Sequence, residues 1–245
     1  MSHIQIKDEQ GVRIISIDRP DKLNALSLDM YKQMTEYLIQ GESDNGIRAF
    51  LLRGQQNCFT SGNDIADFLS NPDMGRNHPA VNFLFTLLTL KKPLIAAVSG
   101  SAVGIGTTVL LHCDLVYADD SAQFMLPFVN LGLVPEAGAS LLLPQLIGHP
   151  HAAELLLLGE PFNAETAKDL KMINRICSSS ELYGFALKQA KRIAAQPPEA
   201  IQQTKQLMRP NQQQVNRQME LEIEQFAKLL HSEQAQARFK AFLNK

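Results

Sequence analysis

The stretch from Leu94 to Gly148, LIAAVSGSAVGIGTTVLLHCDLVYADDSAQFMLPFVNLGLVPEAGASLLLPQLIG, constrains this chain more than any other. LIAAV is a short continuous apolar run, the pattern of a strand buried on both faces. Ser99 to Ala102 interrupt it and Gly104-Ile105-Gly106 follow. Thr107 to Cys113 then reads as a buried helix, and Leu115 to Ala118 as another short strand. A strand that feeds small residues into a helix leaves unpaired backbone N–H groups at the helix start, where a negatively charged oxygen can sit. The glycines permit close approach or unusual dihedrals, and Ile105 between them offers its own N–H. They would equally let the helix pack tightly on the sheet. The pattern leaves both readings open, and it fits no phosphate-binding loop.

Further along, Asn130-Leu131-Gly132-Leu133-Val134-Pro135-Glu136-Ala137-Gly138 precedes the apolar run Ser140 to Leu146. Pro135 and Glu136 are therefore expected at or near the first turn of a helix. An acidic residue there can simply favour the helix macrodipole. It can also act as a base: small residues after it leave room for a ligand, and apolar surroundings lift a carboxyl towards a useful pKa.

A chain of 245 residues can bury a large core, and one domain with a smaller appendage is expected over two equal ones. The boundary falls at Pro197-Pro198, dividing a core over 1–196 from a polar, helical region over 197–245. A formal charge of −2 gives no support for a nucleic-acid partner, which would call for a basic patch. Cys58, Cys113 and Cys177 are too few and scattered for a disulfide framework or a thiolate metal site. The N-terminal MSHIQIKDEQ lacks a signal core, and no window of 18 apolar residues suggests a membrane span. A cytoplasmic protein is the expectation.

Ile4 to Ile6 and Val12 to Ile17 flank Asp8-Glu9-Gln10-Gly11 and read as an opening hairpin. Ser27 is placed to cap a helix to about Gln40. Ala49 to Arg53 reads as a strand ended by Gly54. Cys58-Phe59-Thr60-Ser61-Gly62-Asn63-Asp64-Ile65 follows, again a strand leading to small and polar residues and a helical start. Either Asp64 caps a plain turn there, or Asn63 presents a second N–H to a shared ligand oxygen. Ser70 to Pro79 reads as a mobile loop over a site, Val81 to Leu90 as an apolar helix, and Asn163 as the cap of a short helix to Met172. Ile173 to Ile176 suits an edge strand, and Ser180 to Ala195 another helix. Strand–helix units in succession point to an α/β core.

No GxGxxG follows the first strand, and neither GxxxxGK[ST] nor HExxH occurs. GSAVG at Gly100 misses the G-x-S-x-G pattern because position 102 is alanine. The six histidines form no metal-ligand run, and His112 on an apolar segment suits a satisfied core residue. What remains is two candidate backbone donors, at Asn63 and Ile105, and one candidate base, Glu136. Two N–H groups on a thioester carbonyl oxygen would stabilise the enolate formed when a neighbouring C–H loses its proton, each donor being worth about 3 kcal/mol in known cases. One carboxylate can take a proton from one carbon and return it two carbons away. Addition of water normally needs a second group.

With FTSGND at Phe59 to Asp64, GSAVGIG at Gly100 to Gly106, CDLVYA at Cys113 to Ala118 and AQFMLPFVNLGLVPEAG at Ala122 to Gly138, the chain resembles the enoyl-CoA hydratase/isomerase (crotonase) superfamily over about residues 4 to 245. The likeness is greatest to the Δ3,Δ2-enoyl-CoA isomerase branch. The resemblance implies a crotonase-like α/β fold of repeated ββα units, two sheets surrounded by helices, and C-terminal helices that close an acyl-CoA site. It implies a homotrimer or a dimer of trimers. It places the oxyanion-hole amides at Asn63 and Ile105, the general base and acid at Glu136, and a coenzyme A contact at Lys22. Coenzyme A is then part of the thioester substrate, with no metal or nicotinamide cofactor. Hydratases of the family carry two glutamates, where this chain has Thr108 and Phe128, so hydration is expected to be very weak. Phe128, Met125, Leu126 and Leu131 are expected to line or support an acyl pocket. The implied reaction moves the double bond of a 3-enoyl-CoA to give the trans-2-enoyl-CoA. Thioester hydrolysis and non-catalytic acyl-CoA binding are the alternatives.

Overall fold

The computed structural model describes residues 2–55, 58–70 and 73–243. Among the described residues nine strands lie at β1 (Ile4–Glu9), β2 (Val12–Ile17), β3 (Ala49–Gly54), β4 (Leu94–Val98), β5 (Ser101–Val103), β6 (Leu115–Asp119), β7 (Gln123–Met125), β8 (Phe162–Asn163) and β9 (Arg175–Cys177). The α-helices through the first part of the chain are α1 (Leu28–Ser43), α2 (Ile65–Ser70), α3 (Pro79–Thr89), α4 (Ile105–Thr108) and α5 (Ala139–Ile147). After them come α6 (His149–Leu158), α7 (Ala164–Asp169), α8 (Leu182–Ala194), α9 (Pro198–Met208), α10 (Gln212–Leu230) and α11 (Glu233–Leu243).

The expected opening hairpin is present: β1 pairs antiparallel with β2, in a register running from Ile4 opposite Ile17 to Glu9 opposite Val12. From β2 onward the larger sheet is parallel, in the order β1-β2-β3-β4-β6-β9. A smaller sheet, β5-β7-β8, lies beside it. Each ββα unit gives its first strand to the large sheet and its second to the small one, as β4 and β5, then β6 and β7, do. Two single rungs, Thr60 with Ala102 and Leu26 with Asn63, extend the same stacking towards the N-terminus. Parallel strands covered on both faces read as unbroken apolar runs, which is why LIAAV at β4 is wholly buried.

Ser27 caps α1, its hydroxyl accepting from the Met30 amide at 3.3 Å. Asn163 caps α7 in the same way, and Gly159 ends α6 in the left-handed conformation. One expectation shifts. The buried helix expected over Thr107 to Cys113 is a single α-helical turn, α4, followed by a 3-10 turn from Val109 to His112. Glu136 lies near the first turn of α5 as expected, three residues before Ala139. Within the expected loop 70–79, residues 71 and 72 lie outside the described residues, and Met74 is buried. Val215, Met219, Phe226, Leu230, Ala235 and Phe239 of α10 and α11 join the apolar cluster that also holds Tyr31, Phe83 and Ile105. Among the described residues no helix is long and apolar enough to cross a membrane.

Candidate active site

Asn63 and Ile105 face a common space because of where the small sheet ends. The Leu26 amide donates to the Gly62 carbonyl at 2.8 Å, and the Asp64 amide donates to the Leu26 carbonyl at 2.9 Å. In a parallel ladder those bonds turn the intervening peptide N–H, that of Asn63, to the opposite side. The loop is fixed from outside by Arg19, whose guanidinium meets Asp64 at 2.8 Å. Burial opposes ionisation of Asp64, but that hydrogen bond holds its carboxyl below the usual range.

Ile105 opens α4, so its N–H has no carbonyl four residues earlier within the helix. Gly104 makes the bend, with φ +57° and ψ −115°, a conformation suited to glycine. Gly106 meets a close approach: a Cβ there would stand 2.7 Å from Cγ2 of Thr60. The packing reading of the glycines therefore holds. They let α4 press against the Thr60 segment, and in doing so they bring the two loops together. Neither the Asn63 nor the Ile105 amide donates to a protein acceptor among the described residues.

Glu136 completes the constellation. It lines one cavity with Asn63, Ile105 and Tyr31, enclosed by Met74, by Ala80, Val81 and Leu84 of α3, and by Ile223 and Phe226 of α10. The space measures about 20 Å³, room for about one water molecule. Burial raises the Glu136 carboxyl to about 8; a hydrogen bond from the Thr108 hydroxyl opposes the rise, and the charge of Glu222 adds to it. The apolar setting read from the sequence therefore has the expected consequence. The carboxyl titrates where a general base works well near neutral pH. Tyr31 donates its phenol hydrogen to Oδ1 of Asn63 at 2.5 Å, bracing the residue that carries one of the amides.

The turn that presents Glu136 is held at the Ala137–Gly138 peptide. Ala137 and Gly138 are left-handed in succession, at φ +62° and +72°. Left-handed backbone at a residue with a Cβ persists where its surroundings over-determine it. Here Nε2 of buried His112 lies 2.7 Å from the Ala137 carbonyl. Burial pushes His112 down to about 4, against the pull of that carbonyl, so the ring is neutral and donates from Nε2. The His112 carbonyl in turn accepts from Arg209, which with Lys205 of α9 pairs to Asp114 at 3.0 and 2.7 Å. His112 is thus the satisfied core residue the sequence suggests, with a part in holding the site.

Lys22 is exposed at the end of a 3-10 turn, Pro20–Lys22, outside the cavity. Its carbonyl accepts from the Ala25 amide at 2.9 Å and faces the Ser61 hydroxyl at 3.4 Å, placing the residue beside the loop that carries Asn63. The residues expected to line or support an acyl pocket do not themselves line the Glu136 cavity. Leu126 and Phe128 are buried in the main core, Leu131 packs against it, and none of these or Met125 is among the residues lining the Glu136 cavity. Leu126 and Phe128 share one core with Val81 and Leu84 of α3 and Phe226 of α10, which do line it. Sequence reasoning also missed Tyr31, Met74 and Glu222, and took Thr108 only as a position without a carboxylate. One signal pointed to Glu222: it interrupts the otherwise apolar series Val215, Met219, Phe226, Leu230 on the buried face of α10.

The model of the family described as enoyl-CoA hydratase/isomerase matches residues 7–245. The 1,2-epoxyphenylacetyl-CoA isomerase of Escherichia coli K12 is 36% identical over 207 residues, 80% of this chain and 76% of that protein. The short-chain-enoyl-CoA hydratase of Clostridium acetobutylicum is 30% identical over 250 residues, 100% of this chain and 96% of that one. The solved structure of Pseudomonas aeruginosa OdaA superposes with a TM-score of 0.97 at 41% identity, covering 100% of both chains.

Proposed function

Because the chain belongs to the enoyl-CoA hydratase/isomerase family, we propose that it is a Δ3,Δ2-enoyl-CoA isomerase in which Glu136 moves a single proton. The observation that carries this reading is the composition of the cavity: two unengaged backbone amides and one carboxyl, Glu136, as its only acid among the described lining residues.

In the ionised state Glu136 removes a C2 proton from a 3-enoyl thioester. The electron pair moves into the thioester carbonyl, giving a dienolate whose oxygen accepts from the Asn63 and Ile105 amides. Glu136, now protonated, returns the proton at C4. The double bond shifts to C2–C3, and the carboxylate is regenerated with no net gain or loss of atoms. Thr108 cannot activate a water as a second carboxylate would; its hydroxyl is committed to Glu136. Lys22, at the rim, is read as a contact for the adenine or phosphate end of coenzyme A. A homotrimer, or a pair of trimers, is the assembly the resemblance supports.

Incubation of the wild type and Glu136→Gln with 3-enoyl-CoA, following double-bond position and free thiol, tests the proposal. Formation of 2-enoyl-CoA by the wild type, little by the variant and negligible thiol from either is the expected result. Thiol release by the wild type would instead favour thioester hydrolysis, and equal turnover by both proteins would remove Glu136 from its role. Binding of acyl-CoA without any turnover would point to a non-catalytic protein.

A further inference from the structure

Glu222 is a buried carboxylate that the proton transfer above does not use. It projects from α10 among apolar neighbours, yet it is fully engaged. Its Oε2 accepts from the Gly138 amide at 2.6 Å, and its Oε1 from the Ser140 amide at 2.9 Å and the Ser140 hydroxyl at 2.5 Å. The Gln218 side chain, one turn earlier on α10, donates to the same hydroxyl at 2.9 Å. Gly138 is the residue that starts α5, and α5 has no side-chain cap of its own. A helix start needs acceptors for its free N–H groups and favours negative charge beside them. Glu222 supplies both from a different helix. The acid at the α5 N-terminus, a role the sequence offered to Glu136, belongs to Glu222.

We propose that Glu222 is a positioning residue for the base: by capping α5 from α10 it holds the Glu136–Ala137–Gly138 turn in the conformation that presents the Glu136 carboxyl to the two amides. The turn has two left-handed residues in succession, and it is gripped by His112 at the Ala137 carbonyl and by Glu222 at the Gly138 amide. Phe226, one turn along α10 from Glu222, lines the cavity as well. The same helix therefore fixes the base and closes the space in which it acts. The groups that face Glu136 are the Thr108 hydroxyl of α4, the Tyr31 phenol of α1 and Glu222, with His112 neutral behind the turn and the cations Arg209 and Lys205 beyond it. Burial raises the Glu222 carboxyl above its ordinary value, three donors from Ser140 and Gly138 oppose that rise, and the charge it carries when ionised raises Glu136 in turn.

The inference rests on Glu136 being the base, and two readouts separate the two claims. In steady-state assays with 3-enoyl-CoA across pH, Glu222→Gln, which keeps the shape and one acceptor oxygen, is expected to lower kcat at least tenfold with KM within twofold. Its acid limb is expected to move to lower pH, because a neighbouring negative charge is gone. A folded Glu222→Gln protein with the wild-type kcat and pH profile overturns the proposal. Should that variant not fold, Ser140→Ala removes one of the three bonds to Glu222: a severalfold lower kcat at unchanged KM supports the proposal, and a wild-type kcat overturns it. Infrared titration of the Glu136 carboxyl, identified by its loss in Glu136→Gln, needs no substrate. It stands even if the wild type does not isomerise 3-enoyl-CoA. A downward move of that titration in Glu222→Gln supports the contact, and an unmoved titration overturns it.

Discussion

The Thr108 hydroxyl donates to the Glu136 carboxylate, and both side chains are shut away from solvent. A donor to the charged form of a carboxyl favours that form, so Thr108 restrains the rise that burial imposes on Glu136. Thr108→Val keeps the shape and removes the donor. The carboxyl is then expected to titrate above about 8, and the acid limb of kcat/KM to move to higher pH. At neutral pH the rate should fall roughly tenfold for each pH unit the limb moves. A pH–rate profile measured beside the wild type checks this; a limb that moves to lower pH sinks the assigned role.

The raised Glu136 carboxyl also makes a claim about stability. Between the ordinary value of 4.5 and about 8, the folded protein holds a proton on Glu136 that the unfolded chain has released. Stability must therefore fall with rising pH across that window, by up to ~1.4 kcal/mol per pH unit from this group. Glu136→Gln carries no proton to lose, and its amide oxygen can still accept from Thr108. The variant is expected to melt near the wild-type temperature at pH 4 to 5 and several degrees higher at pH 9. Thermal melts at both ends of the range test it, and a variant less stable at pH 9 than at pH 5 relative to wild type contradicts it.

The parts of the site legible in the sequence are those fixed by local geometry. Gly104-Ile105-Gly106 after a buried strand is a local arrangement that frees an amide, and Asn63 follows a second strand in the same way. Glu136 could be singled out because its neighbours in sequence are apolar and small. Thr108, Tyr31 and Glu222 act on residues 28, 32 and 84 positions away for the bonds to Glu136, Asn63 and Gly138. Such contacts depend on how helices dock, and periodicity says only that a helix has a buried face. The walls of the Glu136 cavity have the same origin. Phe128 and Leu126 are apolar and close in sequence to Glu136 and are buried in the core, while residues of α3 and α10 line the cavity.

Lys22 offers a separation of binding from chemistry. It is exposed, outside the cavity, and its charge acts on Asp64 in the Asn63 loop. A contact to coenzyme A made equally in ground and transition states changes KM and leaves kcat alone. Lys22→Ala is expected to raise KM for the acyl-CoA severalfold at low salt, with the difference narrowing as ionic strength rises. An unchanged KM would take Lys22 out of the binding surface.

Ile105 allows the amide itself to be removed. Its N–H stands at the first position of α4, where a proline ring is tolerated because that hydrogen has no partner within the helix. Ile105→Pro deletes the donor and also shortens a buried side chain, so Ile105→Ala serves as the control that shortens the side chain and keeps the N–H. If the amide stabilises the dienolate oxygen, the proline variant should lose roughly 10²–10³ in kcat beyond the alanine variant, the scale of one such donor. The loss belongs in kcat because the bond strengthens as charge develops on the oxygen. Steady-state kinetics of the two variants, with circular dichroism to establish that both are folded, decide the matter. Equal kcat in the proline and alanine proteins would mean that the negative charge forms elsewhere or is held by Asn63 alone.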